Sequence, residues 1–296
     1  MKNTPQQLFK GIFVLCVFSL YTVGWCTIIF ILTVFKILLP VKALRAFVDW
    51  ALHAAASGWV SSNGLVLNVL HKIQWNAQIP QGLSNQKSYL ILSNHISAVD
   101  IIALQYLFNG KIPFLKFFIK RQLIYVPFLG FAWWALDFPF MKRYSQQFLK
   151  KHPEKRGDDL KTTKAMCEKF KGKPTCIVNF AEGTRFTANK LKSQQTSYQN
   201  LLIPKAGGIA FAVEVMGNQF TEILDVTLHY PQGFVSLWDL FSGRLHTIDA
   251  AIQQRPLPKI SGSYSEDARA RDQFQIWISE IWKEKDQLIS KMKSRL

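Results

Sequence analysis

The feature that most constrains the fold of this 296-residue chain is an apolar run from Gly11 to Phe35 that contains no charged residue. The run exceeds the roughly 20 residues that an α-helix needs to cross the hydrocarbon core of a bilayer. A secretory signal peptide has a shorter apolar segment and a small-residue cleavage site, whereas Lys36, Pro40 and Lys42 follow this run. The pattern predicts a retained, membrane-anchoring helical segment, with a buried core helix as the alternative.

A second apolar stretch runs from Ala46 to Leu70 and is interrupted by Asp49 and His53. Such a pattern is typical of an amphipathic helix that lies in the membrane interface. The charges flanking the first segment give little orientation bias: Lys2 and Lys10 precede it, and Lys36, Lys42 and Arg45 follow it. Together the two segments could form a hairpin that dips into one leaflet, with both ends cytoplasmic. We therefore interpret residues 1–70 as membrane-associated helices and residues 71–296 as a second domain.

The second domain alternates short apolar runs with helical patterns. This alternation predicts an α/β fold with a mainly parallel sheet flanked by helices. A C-terminal amphipathic helix is expected from Ser265 onward, because Phe274, Trp277, Ile278, Ile281 and Trp282 share one face; packing on the core is the favoured interpretation and membrane contact the alternative. The predicted strands are Tyr89–Ser93, Phe114–Ile119, Thr175–Phe180 and Ile223–Tyr230, and the predicted helices Asp100–Phe108 and Leu160–Phe170.

The chain is strongly basic, with a net charge of +17. Such an excess favours an anionic partner: a membrane surface, a phosphorylated substrate or nucleic acid. Nucleic acid is disfavoured because no nucleic-acid motif accompanies the charge. Between Met141 and Lys173, eleven Lys or Arg residues stand against four Asp or Glu residues, which suits a surface for lipid headgroups or an anionic acyl donor, or simply a solvated helix. The four cysteines lack metal-site spacing, so no metal is expected.

The first group of residues with a chemical pattern is the segment Ser93–Asp100, directly after a predicted strand. His95 is expected in the turn and Asp100 about one turn into the following helix. A carboxylate there can hold one imidazole nitrogen, so that the other nitrogen acts as a general base. The alternative is a capping Asn94 beside a surface histidine.

The second group is the segment Asn179–Arg185, which follows another predicted strand. Gly183 permits a tight turn. Arg185 offers a planar fork that matches phosphate geometry, and Glu182 could orient or pair with that arginine. The alternative is an ordinary strand-to-loop turn with a surface ion pair.

Together the two segments resemble the motifs of the glycerolipid acyltransferase superfamily, the PlsC family of 1-acylglycerol-3-phosphate acyltransferases. The first motif is Asn-His-x4-Asp with Ser97 at its usual place, and the second is Phe-Pro-Glu-Gly-Thr-Arg with Ala181 replacing proline. Between the two motifs the family has an apolar block with Lys, Pro, Gly and a closing Arg, and the segment from Lys120 to Pro127 with Gly130 and Arg143 fits this block. The chain departs from the block's pattern at Asp137–Lys142. Ala181 and the block Leu201–Gly207 lean toward a YihG-like or lysocardiolipin-acyltransferase-like branch.

The resemblance, which covers roughly residues 85–235, implies a role for each motif residue. His95 would deprotonate the acceptor hydroxyl and Asp100 would hold His95. The implied phosphate ligands are Glu182, Gly183, Thr184 and Arg185, assisted by Arg143 and Lys120, with Asn94, Ser97 and Lys205 in support.

The same resemblance implies a fatty acyl transfer from acyl-CoA or acyl carrier protein to the sn-2 hydroxyl of 1-acylglycerol-3-phosphate, without cofactor or metal. Its expected setting is the inner (cytoplasmic) membrane of a bacterium, with membrane lipids as partners and the active site facing the cytoplasm. Another lysophospholipid, such as lysophosphatidylglycerol or lysocardiolipin, is an alternative acceptor. A catalytically silent, membrane-anchored binder of anionic lipid is the alternative from another functional class.

Overall fold

A computed structural model describes residues 3–39, 41–141, 151, 168, 170–264 and 266–294 of the chain. The predicted helix Leu160–Phe170 and most of the basic segment between Met141 and Lys173 therefore lie outside the described residues.

Two long helices form the N-terminal part of the chain: α1 spans Pro5–Leu38 and α2 spans Lys42–His71. The hydroxyl of Thr4 accepts the backbone N–H of Gln7, and the Gln7 side chain accepts the N–H of Thr4 in return. This capping box satisfies N–H groups that the first turn leaves without helical partners. Both predicted helical segments are confirmed. Within the described residues, α1 is the one helix whose length and composition would let it cross a membrane.

The two helices pack side by side in antiparallel directions. The Tyr21 hydroxyl donates to Oδ1 of Asn63 at 2.6 Å, and the Trp25 indole N–H donates to the Ser62 hydroxyl at 3.0 Å. The Trp25 ring approaches Gly58 so closely that a Cβ at this glycine would lie 2.5 Å from it. The hairpin is therefore held by specific polar contacts and by one close backbone approach.

The hairpin also packs on the rest of the molecule. In α1, the Phe18 ring lies 5.1 Å from the Phe241 ring. Twelve residues further along the same helix, the Phe30 ring lies 5.1 Å from the Phe131 ring. Because these contacts are twelve residues apart, α1 lies along the α/β part and does not project from it.

The α/β part is built on a sheet of six strands in the order β1-β8-β7-β2-β6-β3. The neighbours β7, β2, β6 and β3 are parallel, whereas β8 is antiparallel to β7 and parallel to β1. The predicted mainly parallel sheet is confirmed. The strands within the described residues are β1 (Gln74–Ala77), β2 (Ser88–Ser93), β3 (Leu115–Phe117), β4 (Ile119–Lys120), β5 (Phe140–Met141), β6 (Cys176–Phe180), β7 (Phe220–His229) and β8 (Thr247–Arg255), with β4 and β5 forming a separate two-stranded sheet.

The predicted strand Phe114–Ile119 is divided between the two sheets. Leu115–Phe117 pairs with β6 in the main sheet, whereas the N–H of Ile119 bonds to the carbonyl of Pro139 at 3.0 Å. The chain therefore leaves the main sheet after Phe117 and pairs next with β5.

Helices cover both faces of the main sheet. One face packs against the hairpin, α3 and α4, and the other against α6 and α8. Alternation along β2 creates the two faces: Tyr89 and Ile91 belong to the first apolar cluster, and Leu90 and Leu92 to the second. The described helices after the hairpin are α3 (Val99–Phe108), a 3-10 helix (Arg121–Tyr125), α4 (Leu129–Ala135), α5 (Ala188–Ser193), α6 (Gly207–Met216), α7 (Leu237–Phe241) and α8 (Ala268–Lys293).

The C-terminal helix α8 packs on the core, as the sequence predicted. Phe274, Ile278, Ile281 and Trp282 are buried in the second apolar cluster, and the partly buried Trp277 packs against it.

Candidate active site

Three neighbouring parallel strands bring the candidate site together. Strand β2 lies between β6 and β7, so the loop after β2 emerges between the loops that follow the other two strands. Ligands of open α/β sheets bind beyond the carboxyl ends of such strands. The segment Asn94–Asp100 follows β2, and Ala181–Arg185 follows β6, so both motifs lie at this edge.

His95 and Asp100 are in direct contact. Asp100 lies in the first turn of α3 and is fully buried, and its Oδ2 lies 2.8 Å from Nδ1 of His95. The same oxygen accepts the backbone N–H groups of Ile96 at 2.6 Å and Ser97 at 2.8 Å. A neutral imidazole that donates from Nδ1 carries its lone pair on Nε2. The His95 side chain keeps 14% of its surface exposed, so it can meet a substrate.

The backbone and ring of His95 are fixed by the loop after β6. The His95 N–H donates to Oε1 of Glu182 at 3.0 Å, and the His95 carbonyl accepts the N–H of Phe186 at 2.7 Å. The imidazole stacks on the Phe180 ring with centroids 4.1 Å apart. The two motifs, about 85 residues apart in sequence, are therefore in direct contact through His95.

Two residues that the sequence predicted as supporting residues, Asn94 and Ser97, stabilise the loop after β2. The buried Asn94 side chain donates to the carbonyl of Leu228 at 2.9 Å and accepts the Leu228 N–H at 2.8 Å, so it extends the hydrogen bonding of β7. The Ser97 hydroxyl accepts the N–H of Val99 at 3.2 Å and so closes the turn that leads into α3.

Glu182 has a different role from the one expected. It was predicted to contact phosphate or Arg185, but its side chain is buried, with 1% exposure. Its oxygens accept the backbone N–H groups of His95 and, at 3.1 Å, Leu202. Burial raises the pKa of Glu182 to about 8, although these two hydrogen bonds act in the opposite direction. In this structure the Glu182 carboxylate ties three loop segments together through backbone N–H groups, in place of the expected pairing with Arg185.

The rest of the second motif forms a cationic turn, which we define as Gly183–Arg185 with Lys190 and Lys205. Gly183 has a φ of +68°, a left-handed conformation that favours glycine. A Cβ at Gly183 would lie 3.8 Å from Nζ of Lys205, so this ammonium group lies beside the turn. The Arg185 side chain is exposed.

Lys190 is a member of the cationic turn that the sequence did not predict. It lies on the short helix α5, and its Nζ donates to the Thr184 hydroxyl at 2.7 Å and to the Arg185 carbonyl at 2.9 Å. The pattern Thr184-Arg-Phe-Thr-Ala-Asn-Lys190 contains a capping threonine, Thr187, before a lysine. That capping residue is the local signal that could have suggested a helix returning Lys190 to the turn.

Of the two remaining predicted phosphate ligands, Lys120 and Arg143, the structure describes only Lys120. Lys120 is exposed on β4, which continues from the sheet-edge strand β3 beside β6. Arg143 lies outside the described residues. Among the residues that the structure describes, no group of three or more His, Cys, Asp or Glu side chains is placed to hold a metal ion.

A second residue that the sequence did not predict contacts the pair formed by His95 and Asp100 from β7. Tyr230 follows that strand, is buried, and donates its hydroxyl to Oδ1 of Asp100 at 2.7 Å. The sequence identified it only as the end of a predicted strand.

Comparison with known proteins identifies the class to which this fold and site belong. A family model described as "Acyltransferase" matches residues 74–228, which is more than half of the 296-residue chain. The chain belongs to this acyltransferase family, and the predicted superfamily is confirmed.

Curated relatives and a solved structure agree with the family. The chain is 26% identical over 224 residues to 1-acyl-sn-glycerol-3-phosphate acyltransferase 3 of Arabidopsis thaliana, covering 71% of this chain and 54% of the relative. It is 24% identical over 212 residues to 1-acyl-sn-glycerol-3-phosphate acyltransferase gamma of Homo sapiens, covering 67% and 52%. The chain thus spans about half the length of these relatives.

The crystal structure of PlsC, the 1-acyl-sn-glycerophosphate (LPA) acyltransferase from Thermotoga maritima, superposes with a TM-score of 0.58 and covers 98% of this chain and 97% of that one. At 14% identity this likeness concerns the fold alone. The YihG-like or lysocardiolipin-acyltransferase-like branch stays a prediction.

Proposed function

We propose that this protein transfers a fatty acyl group from an acyl thioester to the sn-2 hydroxyl of 1-acylglycerol-3-phosphate, giving phosphatidic acid. The observation that carries the proposal is the contact between the two motifs: a base held by a buried carboxylate lies on the same sheet edge as an exposed cationic turn. The names of the relatives support the same acceptor, since they are 1-acyl-sn-glycerol-3-phosphate acyltransferases.

The chemistry follows from the geometry of His95. Its Nε2 accepts the proton of the acceptor hydroxyl as the oxygen attacks the thioester carbonyl, and an ester C–O bond forms. The C–S bond then breaks, and the thiolate takes the proton back from Nε2. The Asp100 carboxylate stabilises the imidazolium that exists between the two steps. A thioester is an activated acyl donor, so this scheme uses no cofactor, and acyl-CoA or acyl carrier protein serves as co-substrate.

The cationic turn is the proposed phosphate site. Arg185 supplies a fork that pairs with two phosphate oxygens, and Lys205 and Lys190 add positive charge beside Gly183 and Thr184. We propose Lys120, which is exposed on β4, and Arg143 as further contributors. Anchoring the phosphate here would leave the sn-2 hydroxyl free to approach His95, so binding and chemistry use separate loops.

A membrane location is the second part of the proposal. Helix α1 is long and apolar enough to cross a bilayer, and large apolar side chains of the hairpin are exposed. On α2, Phe47 and Trp50 stack with 5.7 Å between ring centroids while 61% and 66% exposed; aromatic residues of this kind favour the membrane interface. We propose attachment to the inner membrane of a bacterium with the active site facing the cytoplasm, and membrane lipids as partners.

The test is an assay of the full chain in membranes of an overproducing strain. Membranes are supplied with lysophosphatidic acid, lysophosphatidylglycerol or lysocardiolipin, each with acyl-CoA or acyl carrier protein as donor, and products are measured by mass spectrometry. We expect phosphatidic acid to form fastest. The His95→Ala variant should lose about 10²- to 10⁴-fold in rate, the typical contribution of general-base catalysis, while its membrane attachment stays normal.

Each alternative predicts its own result in this assay. Faster consumption of another lysophospholipid would move the acceptor to that lipid and leave the acyl transfer in place. Binding of lysophospholipid without any thioester consumption would identify a silent lipid binder. Undiminished transfer by the His95→Ala variant would contradict the proposed mechanism.

A further inference from the structure

Asp100 accepts hydrogen bonds on both of its oxygens, from two different parts of the fold. Oδ2 serves the imidazole of His95 and two backbone N–H groups of its own loop. Oδ1 serves the Tyr230 hydroxyl, which follows β7 and lies 130 residues away in sequence. The proposed chemistry assigns a role to Oδ2 only.

We propose that Tyr230 is a positioning residue of the acyl transfer, which sets the orientation and basicity of Asp100 and, through Asp100, those of His95. This inference rests on the proposed function.

The surroundings of Tyr230 make its hydrogen bond to Asp100 specific. Tyr230 is 2% exposed and Asp100 is 0% exposed, so solvent does not compete for either group. Burial and the neighbouring Asp100 carboxylate raise the pKa of the Tyr230 phenol well above its ordinary value. The phenol therefore stays protonated and remains a donor over the whole range in which the enzyme would work.

The hydrogen bond affects the carboxylate in two ways. It fixes the rotation of the carboxylate, because Oδ1 is held from β7 while Oδ2 is held by the first loop. It also withdraws charge from the carboxylate, since a hydrogen bond to the ionised form stabilises that form. Loss of this donor should make Asp100 a stronger proton acceptor, and His95 should then hold a proton more tightly.

Few other titratable groups face this pair among the described residues. From the loop after β6, Glu182 contacts the backbone of His95 and interacts with Asp100 through its charge. From α8, the positive charge of Lys285 acts to lower the pKa of Glu182. Both groups are unchanged when only the Tyr230 hydroxyl is altered, so a comparison with the wild type isolates the contribution of that hydroxyl.

The experiment compares Tyr230→Phe with Tyr89→Phe in the full chain. The control is matched: Tyr89 is equally buried in the same apolar cluster, and its hydroxyl accepts the N–H of Ser84 without touching Asp100. For each protein we would measure thermal stability, kcat and KM for lysophosphatidic acid, and kcat/KM against pH. We expect Tyr230→Phe to lower kcat about three- to ten-fold at constant KM, because the hydrogen bond that orients the Asp100 carboxylate is lost.

The pH profile separates positioning from mere packing. The acidic limb of kcat/KM should move to higher pH in Tyr230→Phe, because the more basic His95 loses its proton later, and stay in place in Tyr89→Phe. Replacement of Tyr230 by 3-fluorotyrosine, which keeps the ring and strengthens the donor, should move the limb to lower pH. If Tyr230→Phe does not fold, the pH profile of the 3-fluorotyrosine protein still tests whether Tyr230 acts on Asp100.

Two results would overturn the inference. One is a Tyr230→Phe protein with wild-type kcat and pH profile. The other is an acidic limb that does not move in the 3-fluorotyrosine protein. In either case an active wild-type enzyme would leave the proposed function intact, whereas a wild type without any acyl transfer would contradict the proposed function itself.

Discussion

The two loops that form the candidate site differ in how they are held. In the loop after β2, Asn94 and Asp100 are fully buried, and each side chain makes more than one hydrogen bond. In the loop after β6, Arg185 is exposed and the lysines beside it lie at the surface or partly buried. One loop fixes a single imidazole, and the other presents charge to solvent.

This difference suits the two tasks that we propose. A general base contributes only when it is held within hydrogen-bonding reach of the proton that it takes, so its support must be rigid. A phosphate site gains from exposed cations, because they attract an anionic headgroup at the membrane surface before docking. Glu182 connects the two loops, since it follows β6 in sequence but hydrogen-bonds to the backbone of His95.

If the buried loop after β2 carries the chemistry, substitutions in this loop should change kcat more than KM. We expect Asp100→Asn to lower kcat about 10²- to 10³-fold with little change in KM. The amide keeps an oxygen for Nδ1 of His95, but it has no charge with which to stabilise the imidazolium. Single-turnover and steady-state assays with lysophosphatidic acid would give the two constants.

A second His–Asp pair in the molecule provides the control. Nδ1 of His229 lies 3.0 Å from Oδ2 of Asp249, and both side chains are largely buried. Asp249→Asn removes a comparable charge from a comparable pair outside the proposed chemistry, and we expect its kcat to stay within about two-fold of wild type. Equal losses of kcat in the two variants would mean that Asp100 contributes only to folding.

The exposed loop should affect binding instead. We expect Arg185→Ala to raise KM for lysophosphatidic acid about 10- to 100-fold, because a hydrogen bond between charged groups contributes about 1.5–3 kcal/mol. The value of kcat should change much less. Arg185→Lys should recover part of the loss, since a point charge replaces the planar fork.

Exposed Arg269 on α8 offers a control of equal charge change. Arg269→Ala should leave KM unchanged if the phosphate contact is local. A monoacylglycerol acceptor, which lacks phosphate, gives the decisive comparison. Should Arg185→Ala weaken the use of this acceptor as strongly as that of lysophosphatidic acid, Arg185 would not be the phosphate ligand.

Much of this architecture could be predicted from the sequence, because the decisive signals are local. The runs Tyr89–Ser93 and Thr175–Phe180 are short, apolar and followed by polar residues, as buried parallel strands are. Once both strands are assigned to one parallel sheet, the motifs that follow them must lie at the same edge. The contact between the loops of His95 and Glu182 is therefore a consequence of topology.

The remaining features depend on partners that are distant in sequence. An acid beside Arg185 suggests an ion pair, but Glu182 is instead buried, because the N–H of Leu202 is brought to it by a later segment. Tyr230 has the sequence pattern of an ordinary core aromatic residue at a strand end, and only its alignment beside β2 turns its hydroxyl toward Asp100. Periodicity does not specify such pairings.

The smallest effect that we expect also concerns the exposed loop. Lys190→Met should raise KM for lysophosphatidic acid about five-fold or less, with kcat unchanged. The Lys190 ammonium holds the Thr184 hydroxyl and the Arg185 carbonyl, and a net hydrogen bond is worth about 1 kcal/mol. Its loss should loosen the turn that presents Arg185.

The same short helix provides the control for this variant. Lys192 is exposed two residues further along α5, so Lys192→Met removes the same charge from nearly the same place. If Lys190 acts by holding the turn, its effect on KM should persist at high salt and should shrink in an Arg185→Ala background. If instead the two lysine variants behave alike and both effects vanish with salt, the exposed loop binds through its general charge, and Lys190 has no specific part in its shape.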